Sequence, residues 1–71
     1  MKWVPDQLHP GCLDLVHENV VIGWARTYPN GRGHSWTLCA TFKATYVDSL
    51  DEAKKALLLE IKLRDDLLKL Q

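Results

Sequence analysis

The sequence predicts an α+β fold: a three- to four-stranded antiparallel meander followed by one long C-terminal helix packed on one sheet face. Three observations carry this reading. Apolar and polar residues alternate with period two through most of the stretch from Cys12 to Val47. Turn residues interrupt that stretch at Glu18-Asn19 and at Pro29-Asn30-Gly31-Arg32-Gly33. From Leu50 onward the apolar residues recur at helical spacing, with no Gly or Pro to break them.

The 71 residues read as a single domain, with an irregular arm over 1–11, a sheet over 12–47 and a helix over 49–70. Pro5, Pro10 and Gly11 interrupt any regular pattern in the arm, which Trp3 and Leu8 are expected to anchor. A first strand runs from Cys12 to about His17, and Glu18-Asn19 supplies a tight turn. The second strand runs from Val20 to about Tyr28. It separates a large face (Val20, Ile22, Trp24, Arg26, Tyr28) from a small one (Val21, Gly23, Ala25, Thr27). The third runs from His34 to about Phe42, with His34, Trp36, Leu38, Ala40 and Phe42 on one face. A bend near Lys43 leads to a short fourth strand over 44–47.

Pairing Tyr28 with His34 sets Arg26 opposite Trp36, Trp24 opposite Leu38 and Ile22 opposite Ala40. All large residues then share one face, which is expected to meet the helix. A slip of one residue would reverse one strand's faces, so the register is a sharp expectation.

Ser49-Leu50-Asp51-Glu52 is a capping box: Ser49 caps the helix and Glu52 reaches back. Asp51 with Lys55, Glu60 with Arg64 and Asp65 with Lys69 give favourable pairs four residues apart. On a helical wheel Leu50, Ala53, Leu57, Ile61 and Leu68 form a stripe for the sheet. Beside it Ala56, Leu59, Leu63, Leu67 and Leu70 form a second stripe, making the apolar arc wider than one sheet requires. At about 1.5 Å per residue the helix also outruns strands of ordinary length. The arm and first strand can cover the second stripe, or a partner can. The reading taken is a homodimer through Leu59, Leu63, Leu67 and Leu70.

Nine basic and nine acidic residues give zero formal charge, which argues against a large phosphate-binding footprint. The balance is uneven, since no acid lies between Asn19 and Val47, where Arg26, Arg32 and Lys43 stand. No signal-peptide pattern and no membrane-spanning stretch is expected, and a cytoplasmic setting with free thiols follows.

Catalytic machinery is not expected. Asn30-Gly31-Arg32-Gly33 lacks the Lys-Ser/Thr of a phosphate loop, and the paired acids of the helix read as solvated faces. His9, Cys12, His17, His34 and Cys39 are possible metal ligands, but their spacing matches no recognised zinc site. No metal and no cofactor is therefore assigned. The most site-like group is expected at the hairpin end, where Arg26, Tyr28, Arg32, His34 and Trp36 would cluster and Arg26 would stack on Trp36. These residue types are enriched at binding hot spots. A cross-strand ladder with charge at its tip is the structural alternative.

The segment from Thr45 to Leu57, with Ser49-Leu50-Asp51-Glu52-Ala53-Lys54, resembles the sheet-to-helix entry of integrase arm-type DNA-binding domains. That resemblance implies a sheet that docks into DNA. Trp3, Gly23-Trp24, Trp36 and Ser49 to Lys54 also resemble a set of short phage and prophage accessory proteins. That resemblance implies a non-enzymatic protein that binds a host or phage macromolecule, as an inhibitor or regulator. The expectation is this second role, with a protein partner and no membrane. A small sheet-based DNA-binding module is the first alternative, and a metal-binding or thiol protein the second.

Overall fold

The computed structural model describes residues 1–29 and 33–69, with side chains of the helix described as far as Asp65. Five antiparallel strands form one sheet in chain order: β1 (Lys2–Pro5), β2 (Cys12–His17), β3 (Val20–Thr27), β4 (His34–Leu38) and β5 (Ala44–Val47). One helix, α1 (Leu50–Lys69), follows and packs across β3, β4 and β5. The architecture is thus α+β with a meander sheet, and it has one strand more than the sequence predicts. The extra strand is β1, within the stretch expected to be irregular. Trp3 pairs with Leu15 there and packs against the core, as expected of an anchor, whereas Leu8 stays 85% exposed. Pro5 lacks a donor and can end β1 only because that strand lies at the sheet edge.

Glu18 and Asn19 both take positive φ, of 52° and 65°, which gives the hairpin turn whose twist matches its strands. β2 and β3 then pair with one irregularity, because Leu15 faces Gly23 while Val16 faces Val21. The skipped residue, Ile22, packs against the core instead of continuing the row of Trp24.

The β3–β4 register differs from the expected one. Ala25 lies opposite Trp36, Gly23 opposite Leu38, and Trp24 opposite Thr37. The small residues of β3 therefore share a face with the large residues of β4. The physical reason is the helix. Rows running across the sheet, such as Trp3, Leu15, Gly23 and Leu38, have large residues at the sides and the smallest at β3. This is a trough, and α1 lies in it. Leu57 and Ala53 are fully buried there, and Ala25 forms part of the floor with no exposure of its own. Had Trp24 and Arg26 occupied the floor, the helix could not approach. The expected face of Ile22, Trp24 and Leu38 is thus divided: Leu38 and Ile22 pack in the core, and Trp24 points away from the helix.

The helix begins as predicted. Glu52 N–H donates to Ser49 Oγ at 3.1 Å, while the Glu52 carboxylate accepts from Asp48 N–H at 3.2 Å, one residue earlier than the usual reciprocal bond. Glu60 and Arg64 form the expected ion pair at 3.0 Å. The sheet-facing stripe holds through Ala53, Leu57 and Ile61. The second stripe is not covered by the arm or by β2. Leu59 is 57% and Leu63 50% exposed, while the side chain of Leu67 and all of Leu70 lie outside the described residues.

Gly23 is the critical floor position. A Cβ built there would sit 2.7 Å from Thr37 O and 3.0 Å from Leu57 Cδ2, and one of those contacts is backbone. Gly23→Ala should therefore destabilise the protein by at least about 1–3 kcal/mol, read as a lower denaturant midpoint with an unchanged slope. A neutral substitution would mean that the helix does not rest on β3.

Candidate functional site

Among the described residues no helix or strand covers the face of the sheet opposite α1, so most of the side chains that line it must shield one another. β3 sends Trp24 and Arg26 to this side, Tyr28 follows just past its end, and the neighbouring strands contribute small residues. Arg26 lies opposite Cys12 on one side and Ser35 on the other, and Trp24 lies between Asp14 and Thr37. The large β3 side chains form a ridge. Beneath it Ser35, Thr37 and Cys12 are buried, although no helix covers them.

The ridge has two aromatic ends. Tyr28 stacks on Tyr46 of β5 with ring centroids 5.7 Å apart, and Ser35 Oγ donates to the Tyr28 hydroxyl at 3.1 Å. The Arg26 guanidinium lies over the Tyr28 ring, 4.7 Å from its centroid. Tyr46 titrates above its ordinary value, first because its hydroxyl is hydrogen-bonded to Tyr28. At the other end Phe42 meets Trp24 edge to face, at 6.4 Å and 72°. Phe42 is 78% exposed and Tyr46 67%.

Phe42 also has a φ of 56°. A bulky side chain in this left-handed region is an outlier. The turn that holds it is fixed by bonds to a single carbonyl: Thr41 N–H, Thr41 Oγ1 and Phe42 N–H all donate to Leu38 O. The strained backbone thus holds an aromatic ring in solvent.

Next to the Trp24 end lies a cavity of roughly 170 Å³, lined by Asp6, His9, Cys12, Asp14, Trp24 and Arg26. Its wall is the loop between β1 and β2. Asp6 Oδ1 accepts from Leu8 N–H at 2.8 Å and His9 N–H at 3.1 Å, and lies 3.3 Å from His9 Nδ1. Gly11 ties the loop down. With a φ of 82° it comes so close to β3 that Thr27 N–H donates to its carbonyl, and a Cβ would lie 2.7 Å from Thr27 O.

The two carboxyls of the cavity titrate in opposite directions. The Leu8 amide holds Asp6 below its ordinary value. Burial, reinforced by the neighbouring Asp6, holds Asp14 above its own. Burial and the nearby Asp14 carboxylate push the Cys12 thiol up to about 11. Its one hydrogen bond goes to Asp14 at 3.8 Å. Cys39, a second free thiol, is also raised by burial and contacts Val21 O instead.

The residues expected to cluster at the hairpin end are divided between the two faces. Arg26 and Tyr28 are on the open face. His34 and Trp36 are on the helix side, where His34 Nδ1 contacts Thr27 Oγ1 at 3.1 Å and Trp36 packs against the core. Arg26 therefore stacks on Tyr28 and not on Trp36. Arg32 lies outside the described residues. Of the candidate metal ligands, His9 and Cys12 share the cavity, while His17 lies at the far end of β2 beside Glu18. Asp6, Asp14, Phe42 and Tyr46 were not singled out by the sequence. Tyr46 was the most accessible of these, since an exposed tyrosine in a short edge strand continues the aromatic parity of β3.

No protein-family model, no curated protein and no solved structure matches the chain. Among the described residues no helix is long and apolar enough to cross a membrane.

Cys12 should resist modification. With a thiol pKa of about 11, its thiolate fraction at pH 8 is about one in a thousand, roughly two orders of magnitude below a free cysteine. Alkylation with iodoacetamide, read by peptide mass spectrometry, should label Cys12 that much more slowly in folded than in unfolded protein. Equal rates would contradict its burial.

Proposed function

We propose that the chain is a non-enzymatic binding protein that recognises a protein partner through the open face of its sheet. The observation that carries this reading is Phe42, held at 56° and 78% exposed beside Trp24. Its conformation costs about 1–2 kcal/mol, with little burial to offset it. Together with Tyr46, Tyr28 and Arg26 it makes an aromatic surface with one guanidinium, the composition favoured at the centre of interfaces. The acids Asp6 and Asp14 at one end and the zero formal charge disfavour a phosphate-rich partner. The resemblance to short phage and prophage proteins supports an accessory role, as regulator or inhibitor of a host system, in the cytoplasm.

A second reading is a nucleic-acid-binding sheet, and the stacked aromatic pairs favour it, since bases stack on such platforms. It implies single strands rather than the groove docking of integrase arm-type domains. Assembly is a separate matter. The exposed Leu59 and Leu63 support a homodimer through α1, and Leu67 and Leu70 extend the same stripe in sequence.

Phe42→Asn separates binding from folding. Asparagine tolerates the left-handed region, so relief of strain offsets the lost edge contact of about 0.5–1.5 kcal/mol. Stability should change by less than about 1 kcal/mol, while a partner captured from bacterial lysate by the wild-type chain should be lost. Retention of that partner by both Phe42→Asn and Tyr46→Ala would overturn the reading. Retention of single-stranded oligonucleotides at low salt, abolished by the same variants, would promote the second one. Sedimentation at high concentration should give twice the monomer mass, falling to the monomer in Leu63→Glu; a wild-type monomer would remove the dimer.

A further inference from the structure

We propose that the cavity between the β1–β2 loop and the open sheet face is a site for one divalent transition-metal ion, with zinc the best match to its donors. The proposal is independent of the binding role of the aromatic ridge.

The donors come from two adjoining pieces of the fold. Asp6 and His9 come from the loop, Cys12 from the start of β2, and Asp14 from the next residue of β2 on the same face. One donor atom from each of Asp6, Cys12 and Asp14 lies within 4.8 Å of the other two. His9 Nδ1 is already 3.3 Å from Asp6 Oδ1. A tetrahedral zinc ion with bonds of about 2.0–2.3 Å holds its donors roughly 3.3–3.8 Å apart. The three donors therefore need to close by only about 1 Å. His9, which lies beside Asp6 but outside that group of three, would have to turn its ring inward to complete four-coordination; two oxygens, one nitrogen and one sulfur are then a set that a hard ion such as calcium or magnesium would not select.

Charge points the same way. Once the thiol proton is displaced by the ion, two carboxylates and a thiolate bring three negative charges to one small cavity. A divalent ion and the Arg26 guanidinium, which lines the same cavity, would cancel them. Arg26 Nε is buried without a hydrogen-bond partner, and among the described residues no ion pair joins Arg26 to either carboxylate. A metal-bound carboxylate is the partner it lacks, in the way that outer groups orient metal ligands. Cys12 is only 7% exposed, and its thiol hydrogen-bonds to Asp14 at 3.8 Å. Binding would release the thiol proton to solvent and leave sulfur bound to the metal.

The probes are zinc chloride and cobalt chloride added to the full chain, purified in the presence of a chelator that is then removed. The expected result is one ion per chain. The cobalt form should show a thiolate-to-metal charge-transfer band in the near ultraviolet. That band should persist in Cys39→Ser and His17→Ala and vanish in Cys12→Ser. Asp14→Asn and His9→Ala, which empty no apolar core position, should each weaken zinc binding by about tenfold or more; they decide the matter if Cys12→Ser does not fold. No saturable ion, no thiolate band in the wild type, a band that survives Cys12→Ser, or affinity unchanged in both Asp14→Asn and His9→Ala would each overturn the proposal.

Discussion

The contact between Leu57 and Gly23 sets the layout of the molecule. The helix presents Ala53 and Leu57 to the sheet, both fully buried, and the sheet receives them only where β3 has no bulk. A floor of Gly23 and Ala25 between Leu15 and Leu38 forms the trough. Burial of a leucine is worth about 1.5–3 kcal/mol, a large share of what so small a core supplies. Trp3 adds to it from the edge strand, with Lys54 Nζ 5.5 Å from its ring centroid.

Because strand side chains alternate, emptying one face of β3 fills the other. Trp24, Arg26 and Tyr28 are driven to the side that no helix covers. There they cover Ser35, Thr37 and Cys12, whose small size the register requires. The open face is thus a consequence of how the helix packs. Its exposed rings and its strained Phe42 are the features on which the proposed binding role rests, and its acidic cavity is where the proposed metal site lies. The cavity exists because Gly11 allows the β1–β2 loop to lie against Thr27 and carry Asp6 and His9 over Cys12 and Asp14.

Local signals in the sequence were reliable where local physics decides. The turn at Glu18-Asn19, the bounds of β2 and β5, and the helix start at Leu50 with its Ser49 cap all depend on nearby residues. The alternation within β3 was also legible. What the pattern did not carry was which of its faces meets the helix. A row of Trp, Arg and Tyr reads as core by size, yet a helix needs close approach more than it needs bulk below it. The hairpin end differs from its sequence pattern for the same reason, since shifting β4 by one residue moves Trp36 and His34 away from Arg26 and Tyr28. β1 is not legible in the sequence because Pro5 and Pro10 break the pattern, although at an edge the first of them is tolerated. The gathering of Asp6, His9 and Asp14 around Cys12 depends on a loop path that no periodicity encodes.

Everything described for the open face follows from one alignment of β3 with β4. Cross-strand nuclear Overhauser effects between backbone protons of these strands test it directly. The account predicts contacts that pair Ala25 with Trp36 and Gly23 with Leu38. Contacts pairing Arg26 with Trp36 and Trp24 with Leu38 would put the large residues together and contradict it.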